Sequence, residues 1–332
     1  MKVQELKEIK SLSPVYLLQG VNSFLLKDAK QKIIEKTLTE EEQEFNLASF
    51  DLEEIPIETV IEDAETLPFL GKKRVVIAEN ATFLTAEKQK VEHNVDVLIR
   101  YLEEPAPFSV LIIVAPYEKL DERKKVTKKL KAKSTHLEAN ELTEGELKNW
   151  VKAEVAQAGL TITDEALSEF IELTGMKLTI VHMELAKLLL YGEEITAELV
   201  HQLVSKSLEQ NVFALVEAFI HGRTVDTITI YRDLLRNNEE PIKILALLVS
   251  QIRLVYHSKR LSNQGYGQKQ ISQALKVHPF RVKLAIGQGR SFSTDHLLNL
   301  LKDLARADFE MKTGKMDKAL LLELLFMKKY EA

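Results

Sequence analysis

The stretch VYLLQGVNSFLLKDAKQKI, residues 15–33, decides how the first third of the chain folds. Its opening run, Val15 to Gly20, reads as a strand, and the segment from Ser23 to Lys36 reads as a helix. A strand, a tight turn and a helix form the frame on which many proteins cradle a triphosphate. That cradle needs a glycine-rich loop with a lysine and a hydroxyl, the pattern GxxxxGK[ST]. Here the turn is Gly20-Val21-Asn22-Ser23-Phe24-Leu25-Leu26-Lys27, with one glycine and large apolar residues where backbone N–H groups would have to face phosphate. The pattern occurs nowhere in the chain.

Working outward, further strands are expected at 46–51, 74–80, 109–116 and 135–142. Helical stretches fall between them at Pro56–Thr66 and Ala86–Glu103. Apolar strands alternating with amphipathic helices predict a five-stranded parallel sheet covered on both faces. Beyond residue 142 strand signals fade. Thr143 stands three residues before Glu146 in a capping-box arrangement, and the helix so started stops at Gly159. Thr163 and Gly175 bracket a second helix, a third runs from Thr179 to Tyr191, and TAELVHQLVS supplies a short fourth. From Asn211 onward long apolar stripes predict a larger helical region. The expected division is an α/β domain over 1–142, a small helical domain over 143–210 and a helical domain over 211–332.

Composition bounds the chemistry. At 332 residues, two or three domains are expected. The absence of cysteine excludes disulfides, cysteine-ligated zinc, iron–sulfur clusters and a cysteine nucleophile, and it fits a reducing cytosol. No run approaches the length of a membrane span, so no membrane partner is expected and the chain is placed in the cytoplasm. The eight histidines show no short metal-ligand spacing and no GxSxG elbow is present, so catalytic, metal and cofactor sites are all expected to be absent. The net charge of −5 conceals a division: residues 241–294 carry nine Lys or Arg and no Asp or Glu. An unopposed positive stretch of this kind attracts phosphates.

Two segments invite a binding function. GYGQKQISQALKVHPFRVKLAIGQGR, residues 265–290, has the spacing of a helix-turn-helix, with Pro279 in the first turn of its second helix. Long apolar helices flank it on both sides, however, and Phe280, Val282 and Leu284 make a poor base-reading set. A structural hairpin with a basic face is the preferred reading, and a sequence-specific DNA binder is the competing one. In ETLPFLGKKR, residues 65–74, Leu67, Pro68, Phe69 and Leu70 occupy a connection where polar turn residues are usual. They either fold under to staple the preceding helix onto the sheet or stand out as an apolar wedge for a protein partner.

The order α/β, small helical, larger helical is similar to that of AAA+ ATPases, with a nucleotide-binding domain followed by a lid. The acidic pair that would hold magnesium is reduced here to Glu79 beside Asn80. LLVSQIRLVYHSKRLSNQGYGQKQISQALKVHPFRVKLAIGQGRSF with LARADFEMKTGKMDKALLLELL resembles the C-terminal domain of the delta subunit of the bacterial DNA polymerase III clamp loader, most specifically at HPFRV (278–282), Asp308, Lys312, Thr313 and Gly314. The resemblance extends to VYLLQGVNSFLL, LPFLGKKRVV and TGMKLTIVHMELAKL, and so spans the chain.

The resemblance implies a fold class of α/β plus all-α: an AAA+-like parallel-sheet domain without a phosphate loop, a helical lid and a C-terminal helical collar. It implies a non-catalytic subunit that binds the sliding clamp and holds its ring open for loading onto primed DNA, using ATP hydrolysed by partner subunits. The family's clamp contact falls by position on Leu67, Phe69 and Leu70. The collar implies association with the ATPase and delta-prime subunits, above a chamber that receives primer–template DNA. Arg281, Lys283, Arg290, Lys312 and Lys315 are the candidate DNA contacts. Where the ATPase neighbours carry an arginine finger, this chain reads Lys131-Ala132-Lys133, which implies that it supplies none. An active AAA+ ATPase is disfavoured by the absent phosphate loop.

Overall fold

The computed structural model describes residues 12–192 and 194–328. The chain divides into two compact units, Met1–Glu141 and Leu142–Ala332. In the first unit the elements run β1 (Val15–Gln19), α1 (Ser23–Thr37), α2 (Glu40–Asn46), β2 (Leu47–Asp51), α3 (Ile57–Ala64), β3 (Arg74–Glu79), α4 (Val95–Tyr101), β4 (Ser109–Ala115), α5 (Lys125–Lys133) and β5 (Thr135–Glu138). The five strands pair in parallel in the order β2-β3-β4-β1-β5. Every residue of β1 and β4 is buried, because both faces of the sheet are covered and the two strands are central.

The period of two sorts the strand side chains onto two layers. Val15 and Leu17, Val76 and Ala78, and Leu111 and Ile113 join one core with Val60, Ile61 and Ala64 of α3, Leu98 of α4 and Leu130 of α5. Leu18, Ile77 and Ile112 point the other way and are buried too. Helix α1 packs against β1, β3 and β4.

Among the described residues the second unit is built of helices, with a single bridge between Ile162 and Ile195. Its first four helices are α6 (Glu144–Gln157), α7 (Asp164–Thr174), α8 (Leu178–Tyr191) and α9 (Ala197–Leu203). The capping box at Thr143 and Glu146 forms as the sequence predicts, and Thr163 caps α7. Then follow α10 (Leu208–Ile220), α11 (Thr224–Arg236), α12 (Pro241–Asn263), α13 (Gln268–Leu275), α14 (Pro279–Gly289), α15 (Thr294–Lys312) and α16 (Lys318–Met327). The 23-residue α12 is the axis of this group: α10, α13, α14, α15 and α16 all pack on it. Ile244, Leu248, Ile252 and Val255 build its buried stripe at helical spacing.

Two expectations need correction. The helix predicted over Ala86–Glu103 shrinks to Val95–Tyr101. Residues 86–88 are exposed and the whole run 86–94 contains no buried position, so a helix there would have no apolar face to set against the sheet. The last strand ends at Glu138 rather than continuing to 142, because it is an edge strand and only Leu137 within it is buried. Helices α2 and α5 lie outside the stretches named from periodicity. Helix α2, EEEQEFN, has so little apolar content that only its capping box, Thr39 with Glu42, marks it.

Candidate functional site

The turn after β1 is closed on itself. Gly20 adopts φ +145°, and a Cβ there would lie 2.2 Å from the carbonyl oxygen of Ala139. That carbonyl accepts a hydrogen bond from the Asn22 amide at 2.9 Å, and the Gly20 amide donates to the Ala115 oxygen at 3.1 Å. The Asn22 side chain caps α1 by accepting from the Leu25 amide and donates to Glu141. The amides of Gly20, Asn22 and Leu25 are thus already donating to acceptors of their own domain. Glu79, at the end of β3, is ion-paired with Lys30. Lys131 and Lys133 of α5 are paired with Glu122 and Glu103, and the two lysines Lys129 and Lys133 hold the Glu103 carboxyl down at about 2. Among the described residues no group of three or more His, Asp or Glu is arranged to hold a metal ion.

The segment between α3 and β3 is built differently. Helix α3 starts with Pro56, which offers no side-chain cap, and the Ile57 amide instead donates to Nδ1 of His93 at 3.2 Å. Burial lowers the pKa of His93, which keeps the imidazole neutral and able to accept. At the far end Asp63 of α3 takes a bidentate pair from Arg74 of β3, at 3.1 and 2.5 Å, so the connection leaves and re-enters the domain at fixed points. Between them Leu67 is 71% exposed, Phe69 57% and Leu70 87%. These side chains stand out from the surface and do not staple the helix onto the sheet.

Sequence reasoning missed two participants. Asn46, the last residue of α2, is fully buried and grips the backbone of Phe69 from both sides: its Nδ2 donates to the Phe69 oxygen at 2.8 Å, and its Oδ1 accepts from the Phe69 amide at 2.7 Å. Phe45 beside it is also exposed, with its ring centroid 5.6 Å from that of Phe69. The available signal was Phe45 itself, the lone large apolar residue in an acidic helix.

The basic residues of the second unit are not gathered into one set of free cations. Arg281 donates to Oε1 of Gln251 at 3.3 Å, and Gln251 in turn donates to Gln288, which donates to the Phe213 carbonyl. Lys283 pairs with Glu144 of α6 at 3.3 Å, and Nε2 of His278 lies 3.0 Å from the Leu142 carbonyl. Helix α14 is thereby tied to its own scaffold through His278, Arg281 and Lys283. Arg290 is exposed at the end of α14. At the end of α15, Lys312 pairs with Asp308 at 2.8 Å and Lys315 stands over the Phe309 ring. On α12, His257 sits near Arg253 and Arg260; burial first, and then those two cations, lower its pKa.

Three family models match the chain: "DNA polymerase III, delta subunit" over residues 16–140, a middle domain over 143–202, and "DNA polymerase III delta subunit, C-terminal domain" over 209–329. The DNA polymerase III subunit delta of Bacillus subtilis is 46% identical over 319 residues, covering 95% of this chain and 92% of that protein. The chain belongs to the DNA polymerase III delta subunit family. A probable delta subunit of Aquifex aeolicus is 23% identical, with 93% and 89% coverage. The solved structure of the Bacillus subtilis DNA clamp loader delta protein YqeN superposes with a TM-score of 0.82, at 45% identity over 98% of this chain and 97% of that one. Membership in this family carries with it a part in DNA replication, as a clamp loader subunit. Among the described residues no helix is long and apolar enough to cross a membrane.

Proposed function

We propose that this delta subunit binds the sliding clamp through Leu67, Phe69 and Leu70 and holds one interface of the ring open. The carrying observation is the turn itself: three large apolar side chains stand in solvent while the backbone beneath them is hydrogen-bonded to Asn46 and anchored by the Asp63–Arg74 pair. A rigid apolar protrusion of this kind seats in a pocket with little ordering cost on its own side. Clamp opening follows if the wedge binds the open ring more tightly than the closed one, since a ligand shifts an equilibrium only by its differential affinity.

In this reading the chain neither binds nor hydrolyses nucleotide and takes no cofactor. The closed turn at Gly20 and the Lys30–Glu79 pair support that part. ATP is hydrolysed by partner subunits, which join this chain and the delta-prime subunit through the collar, residues 211–332, with residues 143–210 acting as a lid. Primer–template DNA meets the collar's cations, with Arg290 and Lys315 as the better placed of the five candidates and Lys312 beside them. Arg281, Lys283 and Lys312 itself contribute less because each gives a donor to a partner within the chain. The protein works in the bacterial cytoplasm at the replication fork.

The test is size-exclusion chromatography of the chain with its cognate sliding clamp in the absence of nucleotide. Co-elution by the wild type that disappears in Phe69→Ala supports the reading. Co-elution retained by Phe69→Ala moves the binding surface elsewhere, and no complex with the wild type removes the clamp-opening role.

A further inference from the structure

We propose that helix α2 is the strut of the wedge: Asn46 is a positioning residue that holds Phe69 and Leu70 in their presenting conformation, and Phe45 is a fourth apolar contact for the clamp. This rests on the clamp-binding reading above. Leu70 has φ +49°, in the left-handed region that a bulky side chain seldom occupies, and it is the most exposed residue of the wedge. Such a conformation persists only where its surroundings over-determine it. The two hydrogen bonds from the Asn46 carboxamide to the Phe69 peptide groups are that determinant, at 2.7 and 2.8 Å.

The approach on the other side of Leu70 is equally close. A Cβ at Gly71 would stand 3.0 Å from Oε1 of Glu42 and 3.1 Å from Nδ2 of Asn46, so the loop lies directly on α2. Glu42 is itself held by the α2 capping box, accepting from the Thr39 amide at 2.9 Å. Helix α2 therefore grips the loop through its backbone and leaves the loop's side chains outside.

Phe45 adds to that outside surface. It is 54% exposed, and its ring is tilted 52° to that of Phe69 at a centroid separation of 5.6 Å. Offset and tilted aromatic pairs are favourable, and a pair left in solvent offers a partner a surface wider than one phenyl ring. The recognising chemistry is an apolar pocket that accepts Phe69 and Leu70, with a rim that meets Phe45.

The experiment measures dissociation of the full chain from immobilised cognate clamp. The proteins are wild type, Phe69→Ala, Asn46→Ala, Phe45→Ala and Gly71→Ala. Amide hydrogen exchange of residues 66–72 is followed without clamp. Asn46→Ala is expected to dissociate about tenfold faster and to speed exchange at Phe69 with all four apolar side chains still present, because a pre-organised loop that is loosened weakens binding mainly through its off-rate. Phe45→Ala is expected to dissociate about threefold to tenfold faster with unchanged exchange. Gly71→Ala, whose Cβ would press on the side chains of Glu42 and Asn46 while leaving the Asn46 carboxamide in place, is expected to resemble Asn46→Ala and keeps the test decisive should that variant fold poorly. If the wild type binds, Phe69→Ala weakens it, and both Asn46→Ala and Gly71→Ala behave as wild type, the strut is overturned while the clamp reading survives. A wild type that does not bind the clamp overturns both.

Discussion

The wedge at residues 65–74 and the hairpin formed by α13 and α14 each look like a recognition element in sequence, and they use their polar groups in opposite ways. In the wedge, hydrogen bonds go to the backbone, from Asn46 to Phe69, and the side chains are left outside. In the hairpin, they go to the side chains: Arg281 to Gln251, Gln288 to the Phe213 carbonyl, Lys283 to Glu144. A surface is available to a partner when the scaffold satisfies its backbone and ignores its tips. It is committed to the fold when its tips are satisfied internally. That difference favours reading the helix-turn-helix spacing at 265–290 as a structural hairpin.

The contrast is tested hardest at Phe69. Phe69→Asp puts a charge where an apolar pocket is to be filled, so clamp affinity should fall a hundredfold or more, about 3 kcal/mol, in surface plasmon resonance. The melting temperature should not move, because Phe69 is exposed; a fall of several degrees would mean that the wedge is part of the core after all. The converse holds for the hairpin. Gln288→Leu strands the buried Nε2 of Gln251 and the Phe213 carbonyl, and should cost about 1–3 kcal/mol of stability by denaturant unfolding. Clamp affinity should be unchanged.

A smaller effect separates free from committed cations. Arg290→Gln with Lys315→Gln should lower the salt dependence of primer–template binding by roughly 0.9 for each phosphate that is no longer neutralised. Arg281→Gln with Lys283→Gln should lower it by less, and an equal or larger drop would put α14 on DNA. The smallest signal lies in two histidines. Both His93 and His257 have pKa values depressed in the fold, so each contributes stability above the ordinary histidine value that is lost as pH falls below it. Added primer–template should raise the His257 value by offsetting Arg253 and Arg260, and should leave His93 where it is. NMR titration of the two imidazoles reads both, and a matching shift at His93 would rule out a local effect.

The fold is largely legible because its signals are local. Val15–Gln19 and Ser109–Ala115 are nearly continuous apolar runs of the kind a doubly covered sheet demands, and Thr143, Thr163 and Gly175 mark helix ends with their own side chains or lack of one. Helix α2 escapes notice because seven residues with one phenylalanine bury almost nothing, and only its long-range hydrogen bonds to the loop at Phe69 give it a purpose.

What the sequence determined by itself was therefore the class of the protein: parallel sheet, then helices, a first turn with no phosphate-binding residues, and an apolar loop out of place at 67–70. Those properties depend on periodicity and on residue type, which act over a few positions. Only the tertiary structure decided which tips are free. Asn46 and Phe69 are 23 residues apart, and Lys283 and Glu144 are 139 apart. Whether a side chain ends in solvent or on a partner depends on pairings that chain folding creates and that no local pattern encodes.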